Sequence, residues 1–173
     1  MAASDLGLLV LRLVVGLTFA AHGAQKAFGW WAGPKFGGWR AGIESMALRP
    51  AVFWAFVSTA AELGGGALLA AGLVTPLATA ALIAQSIVII GLVHLPKGFW
   101  NRSGGIEFPF SLAAGVVALA GTGPGSASLD AVLGLAYSGE VRGLLIAVGI
   151  LGALAALAIP RVLRPERPPA APR

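Results

Sequence analysis

The feature that most constrains this chain is a series of apolar runs that approach the length needed to cross a lipid bilayer. A spanning helix needs about 20 mostly apolar residues. Only 11% of the residues are charged, against about 25% in an average soluble domain, so the bilayer is the better solvent. We therefore predict an all-α, polytopic membrane helix bundle, with spans at Leu6–Phe28, Ala51–Leu73, Pro76–Leu95, Ile106–Thr122 and Gly143–Pro160.

Basic residues are concentrated in connections that this topology places on one side. Of the 12 Lys and Arg residues, all except Arg12 and Arg142 fall in the first connection, the third connection or the C-terminal tail. Because positive loops tend to stay in the cytoplasm, we place the N-terminus outside and the C-terminus inside a bacterial plasma (inner) membrane. This orientation requires an odd number of spans, which favours the fifth run.

The first run lacks the basic start of a signal peptide, so we interpret it as a retained helix.

Composition also narrows the chemistry. The chain has no cysteine, which excludes internal disulfides, thiolate metal sites, iron–sulfur ligation and a dithiol pair. A redox function would therefore borrow a cofactor or a partner. The net charge of +5 comes from scattered loop residues, so we predict no nucleic-acid partner. We predict no metal site, because the ligands for one are missing.

The first apolar run carries a polar stripe. On a helix, residues three and four apart share a face, so His22, Gln25 and Lys26 form one patch on its last turn. Arg12 lies on roughly the same side of the helix. A charged group inside a span is costly and is usually paired or functional, so the stripe should face protein rather than lipid.

The other spans add ionisable residues that the proposed topology brings toward this stripe. Glu62 lies near the middle of the second span, His94 ends the third, and Glu107 begins the fourth. We expect the polar groups of several helices to converge near the cytoplasmic surface. Two ion pairs are predicted, Lys26 with Glu107 and Arg12 with Glu62.

Each of these residues also has a purely structural interpretation. Lys26 could snorkel to the interface, and an Arg12–Glu62 pair could simply fix helix register. His22 and His94 could be hydrogen-bonded interfacial residues. The same two histidines could ligate a b-type haem, but no spacing motif supports that hypothesis, which we disfavour. The five tryptophans fit an aromatic belt better than a binding cage.

Several segments in combination resemble the DoxX family of small bacterial membrane proteins. Any one of them alone would be a weak signal, but together they cover most of residues 6–133. They are RLVVGLTFAAHGAQKAFGW (Arg12–Trp30), ELGGGALLAAGL (Glu62–Leu73), LVHLPKGFW (Leu92–Trp100), GGIEFPF (Gly104–Phe110) and GPGSASLDAVL (Gly123–Leu133).

The resemblance implies a four-helix membrane core and an association with electron transfer. DoxD-like relatives are membrane subunits of a thiosulfate:quinone oxidoreductase, and one DoxX protein is described as an anchor joining a sulfurtransferase to a superoxide dismutase. The resemblance also extends to the family's recurrent polar residues. They match His22, Gln25, Lys26, Glu62, His94 and Glu107 here.

The fifth run and the tail extend beyond the family's usual core. We therefore divide the chain into a DoxX-like four-helix core (1–133), a linker with an additional transmembrane helix (134–160) and a basic, proline-rich tail (161–173). The tail is predicted to be disordered and close to anionic lipid.

Three functional hypotheses remain open. The first is a quinone-interacting subunit of a membrane redox complex, with electrons supplied by a partner's cofactor. The second is a non-catalytic anchor for partner proteins, and the third a small-molecule or lipid transporter. Under all three hypotheses the lipid bilayer is a partner of the protein, and each hypothesis is compatible with a homo-oligomer. The quinone hypothesis gives catalytic roles to Glu62, His94 and Glu107, and cofactor-binding roles to His22, Gln25, Lys26 and Arg12.

Overall fold

The computed structural model describes the backbone of residues 3–163 and the side chains of residues 3–159. Within that part of the chain every regular element is a helix. Short 3-10 turns occupy Trp30–Ala32 and Asn101–Ser103. The helices are α1 (Ala3–Phe28), α2 (Lys35–Ser45), α3 (Ala51–Ala71), α4 (Thr75–Lys97), α5 (Glu107–Thr122), α6 (Leu129–Val132) and α7 (Gly139–Leu163).

Four of these helices, α1, α3, α4 and α7, are long and apolar enough to cross a membrane, and α5 is a shorter apolar helix. The predicted polytopic helical bundle is therefore confirmed. The fifth predicted run begins earlier than expected, at Gly139, and its helix continues to Leu163. The rest of the predicted tail, residues 164–173, lies outside the described residues.

A small apolar cluster of Ile43, Leu48 and Ala55 lies where α2 meets α3, and the bundle encloses a larger apolar core. Its buried members come from α1, α3, α4 and α5: Val15, Phe19, Leu69, Ala78, Leu82, Ile83, Val116 and Leu119. Helix α7 packs extensively against α4, and Ile146 and Ile150 of α7 pack against the core. The additional helix is thus built into the bundle. Our division of the chain at residues 133 and 160 stays a prediction.

The second span packs closely on the first through glycine residues. A Cβ on Gly66 would lie 2.5 Å from the backbone nitrogen of Ala20, and one on Gly16 would lie 2.6 Å from that of Ala70. Small residues let membrane helices approach until their backbones touch. This close approach fixes how α1 is rotated against α3, and so decides which polar side chains can meet.

Two of the spans contain a turn of π-helix. In α3 it covers Ala61–Gly65, and in α4 it covers Ile90–His94. Such wide turns are rare, are found mostly as single turns within α-helices, and often mark functional sites. The turn in α3 carries Glu62, the ionisable residue nearest the middle of a span.

The loop that holds α6 ties the opposite end of the bundle together. Asp130 is buried, and its carboxylate accepts hydrogen bonds from the backbone nitrogens of Val74 at 2.7 Å and Thr75 at 3.0 Å. These two N–H groups lie at the start of α4, where a helix has no internal acceptors. Asp130 therefore caps α4 from a loop more than fifty residues further along the chain.

Candidate functional site

The centre of the polar site is a buried ion pair between α1 and α3. The ammonium of Lys26 lies 2.6 Å from the Oε1 atom of Glu62, and both residues are largely shielded, with exposures of 8% and 5%. Sequence reasoning predicted both residues but gave each the wrong partner. Lys26 does not pair with Glu107, because the close packing of α1 against α3 turns Lys26 toward Glu62.

Two further side chains complete a hydrogen-bond network around this pair. The Gln85 amide of α4 donates to Glu62 Oε1 and to Ser58 Oγ, both at 2.9 Å. Ser58 also accepts from the Lys26 ammonium at 3.3 Å, so its own hydroxyl hydrogen is left for another acceptor. The network therefore links three spans, and all four side chains are buried.

Trp39 of α2 lies against the same network. The Lys26 ammonium sits over its ring at 4.0 Å from the centroid, which is a cation–π contact. This places an aromatic side chain from the first connection beside the ion pair. Together with the buried apolar residues Ile43 and Leu48, the contact holds α2, which is too short to span, against the bundle.

An apolar cavity of about 290 Å³ opens beside the network, between α2, α3, α4 and α7. That volume lies near the lower end of small-molecule sites. Its polar lining comes from Ser58, Gln85 and Trp39. Apolar side chains and small residues form most of the rest, including Ile43, Leu48, Val57, Ala61, Leu92, Ala153 and Ala156.

Two buried polar atoms at the site have no hydrogen-bond partner among the described residues. They are the indole nitrogen of Trp39 and the Oε2 atom of Glu62. A buried polar group is normally hydrogen-bonded, so each such atom calls for a water or a ligand as its partner. Of the two residues, Trp39 lines the cavity, whereas Glu62 is linked to it through its hydrogen bond with the lining residue Gln85.

Arg12 lies away from this site, at the end of the bundle where Asp130 caps α4. Its Nη2 atom donates to the carbonyl of Ala127 at 2.5 Å, and its guanidinium packs against Gly72, where a Cβ would clash. The predicted Arg12–Glu62 pair is therefore wrong. Arg12 is buried, as a protein-facing stripe requires, but its electrostatic neighbour is Asp130.

His94 lies near the end of α4 and Glu107 is the first residue of α5, so the two residues flank the connection between these helices. The Nδ1 atom of His94 is 2.7 Å from the carbonyl of Gly104, and Glu107 accepts from the backbone nitrogen of Asn101 at 2.9 Å. Both contacts hold the loop in place. Neither residue lines the cavity.

The remaining predicted residues make packing contacts. The ring of His22 meets Phe108 edge-on, with centroids 5.9 Å apart, and Gln25 packs against Gly33. Neither His22 nor Gln25 lines the cavity. Across residues 3–159, no group of three His, Asp or Glu side chains is arranged to hold a metal ion.

Sequence reasoning missed four residues that the structure makes important: Ser58, Gln85, Trp39 and Asp130. Ser58 could have been found, because it lies four residues before Glu62 and so shares its helix face. Gln85 is an uncharged amide inside a long apolar run, which is a weaker signal of the same kind. Nothing local distinguishes Trp39 from the other four tryptophans, and Asp130 sits in a loop whose fold is set by tertiary contacts.

Comparison with known proteins places the chain in a family. The DoxX family model matches residues 7–95, slightly more than half of the chain. The uncharacterized membrane protein Rv3486 of Mycobacterium tuberculosis (strain ATCC 25618 / H37Rv) is 29% identical over 132 residues, which cover 70% of this chain and 78% of that protein. No solved structure matches the chain. The matched region includes α3, nearly all of α1 and the Lys26–Glu62 network. Because the family model matches more than half of the chain, the chain belongs to the DoxX family.

Proposed function

We propose that this DoxX protein binds a quinone in the cavity beside the Lys26–Glu62 pair, as the membrane subunit of a redox system in the bacterial inner membrane. One observation carries the proposal. An apolar cavity of about 290 Å³ adjoins a buried network that contains an ion pair and two uncommitted polar atoms. A quinone matches it, because its ring and tail are apolar and its polar atoms are two carbonyl oxygens.

The residues present fit such a head group. The Ser58 hydroxyl and the Trp39 indole can each donate to a carbonyl oxygen. The carbonyl oxygen of Gln85, whose amide hydrogens go to Ser58 and Glu62, can accept from a hydroxyl of the reduced form. Recognition would thus be possible in both oxidation states.

Lys26 and Glu62 would take part in proton transfer to the quinone. Quinone reduction takes up two protons with two electrons. Lys26, which is hydrogen-bonded to the cavity-lining Ser58, would pass on one proton at a time, and Glu62 would accept each replacement proton, so that both protons are drawn from solvent. Electrons would come from a cofactor of a partner subunit, because the chain has no cysteine for a redox pair or cluster. The roles predicted for His22, His94, Glu107 and Glu62 stay predictions, and Glu62 is linked to the cavity through its hydrogen bond with the lining residue Gln85.

The first experiment is organic extraction of the gently purified full-length protein, with mass spectrometry and an absorption spectrum on the same sample. A quinone at near-stoichiometric amount is the expected result. A haem absorption band would instead support the disfavoured haem hypothesis. Absence of both, together with no binding of added quinone to the protein in lipid nanodiscs, would contradict the proposal.

A matched pair of serine variants tests the assigned site. Ser58→Ala removes a donor from the cavity and should weaken quinone binding about fivefold, since one hydrogen bond contributes about 1 kcal/mol. Ser86→Ala is the control, because Ser86 is also buried, bonds to Leu82 of its own helix and does not line the cavity. Equal affinities for the two variants would argue against the site.

The anchor hypothesis is the second candidate, and the geometry gives it one specific observation. The Lys26–Glu62 pair joins α1 to α3, so it could serve only to hold the bundle in register. In that case Glu62→Gln would lower stability, while quinone-linked activity of the folded protein would be unchanged. Loss of activity in a Glu62→Gln protein that remains folded would support the quinone site instead.

A further inference from the structure

The cavity opens toward the side of the bundle, between α3 and α7. One rim is formed by Phe53 and Val57, which expose 53% and 39% of their surface. The opposite rim is formed by Val148, which is 59% exposed, and by the exposed Gly152. On each helix the two residues are four apart, so they lie one above the other on a single face.

We propose that this opening is a lateral portal through which a quinone with a long apolar tail enters from the hydrocarbon phase and leaves its tail in the bilayer. The inference rests on the proposed function and adds the route and the ligand class. The ring would occupy the inner end, near Ser58 and Gln85. The tail would pass between the two rims.

The chemistry of the rims supports entry from lipid. All four rim residues are uncharged and apolar, which suits contact with lipid chains. The side of the cavity toward α2 is closed instead, because Ile43 and Leu48 line it with exposures of only 3% and 1%. An apolar ligand can therefore enter from the lipid side, between α3 and α7. Packed side chains close the cavity on the side of α2 and the first connection.

Gly152 is the residue that keeps the portal wide. A Cβ added there would meet nothing within 4 Å, so this glycine leaves open space rather than allowing two helices to touch. Gly149 on the same helix differs, since its Cβ would lie 2.8 Å from the carbonyl oxygen of Ala80. The first glycine provides room at the mouth, and the second permits the packing of α7 against α4.

The test compares two probes, a naphthoquinone with an isoprenoid tail and the same ring without the tail. Both are titrated against full-length protein in nanodiscs. Gly152→Leu places a branched side chain in the portal and should weaken binding of the tailed probe at least about tenfold, with the tailless probe changed less than about threefold. Gly143→Leu is the control, because Gly143 also has nothing within 4 Å and does not line the cavity.

The outcomes separate the two proposals. If Gly152→Leu affects both probes equally, or neither, the portal is wrong while the quinone site stands. If the unmodified protein binds neither probe, the proposed function fails and the portal with it. If the Gly152→Leu protein does not fold, Val148→Phe is used instead. This variant narrows the same opening from an exposed position and should also weaken binding of the tailed probe.

Discussion

Lys26 and Glu62 lie 2.6 Å apart and join the first two spans of the bundle at a buried point. The pair is not an isolated salt bridge, since Gln85 of the third span donates to the same carboxylate oxygen. An ion pair shielded in this way is costly to break, because removing one partner leaves the other charge without compensation.

Breaking this pair should therefore destabilise the protein strongly. Lys26→Met leaves Glu62 unpaired and should lower the free energy of unfolding by about 3–5 kcal/mol, whereas Lys26→Met with Glu62→Met should recover part of that loss. Thermal unfolding in detergent measures both. Glu44→Gln is the control, because the exposed Glu44–Arg49 pair at 3.4 Å should contribute at most about 1 kcal/mol. A larger loss for the control than for Lys26→Met would contradict the prediction.

The glycine run in α3 offers two neighbouring positions with opposite expectations. Gly66→Ala puts a Cβ against the backbone of α1 and should destabilise the protein by about 1–3 kcal/mol, because neither backbone can give way. Gly64→Ala meets nothing within 4 Å and should be neutral or stabilise by up to about 1 kcal/mol. Thermal unfolding of both variants checks the difference, and equal stabilities would show that the close approach of α1 and α3 is wrong.

Asp130 should be essential for the packing of its loop. Asp130→Ala removes the acceptor of two backbone N–H groups at the start of α4 and should lower the free energy of unfolding by about 1–3 kcal/mol. Protease cleavage of the loop containing α6 should rise in parallel. The exposed Glu140→Ala is the matched control, and comparable cleavage in both variants would exclude the capping role.

Tyr137 gives a pH prediction with a direct optical signal, because it is the only tyrosine in the chain. Partial burial and the nearby Asp130 carboxylate raise the pKa of its phenol above the ordinary value. A raised pKa in the folded state means that its stabilising contribution is complete below the ordinary tyrosine pKa of about 10 and is lost as the pH rises through the folded value. Titration of the tyrosinate absorbance should show this raised pKa.

The same titration has an internal check. Asp130→Asn removes the neighbouring negative charge and should lower the pKa of Tyr137 toward the ordinary value. No difference between this variant and the unmodified protein would mean that Asp130 does not influence the phenol.

The orientation proposed from the positive loops can be tested by labelling single cysteines. Because the chain has no cysteine of its own, no other thiol of this protein contributes to the signal. Gly37→Cys in α2 and Val132→Cys in α6 place single thiols at exposed positions in connections on opposite sides of the bundle. A membrane-impermeant thiol reagent should label Val132→Cys in intact spheroplasts, and Gly37→Cys only after permeabilisation. The reverse pattern would place the N-terminus inside.

The sequence alone determined the helical class, the approximate limits of the apolar helices, and the family. These follow from the length of apolar runs, the placement of charges and local motifs, which need no knowledge of how helices pack. It also identified Lys26 and Glu62 as buried functional candidates, because an ionisable group inside a span is costly wherever the helix lies.

Only the tertiary structure decided which polar groups meet. Lys26 pairs with Glu62 because glycines let α1 and α3 approach closely and so fix their relative rotation. Arg12 lies in the first half of α1, far from Lys26 along the helix, and the tertiary fold brings Ala127 and Asp130 of a distant loop to it. The cavity depends on α2, α3, α4 and α7 together. A helix repeats every 3.6 residues, so sequence shows which residues share a face, but only packing between helices shows what that face contacts.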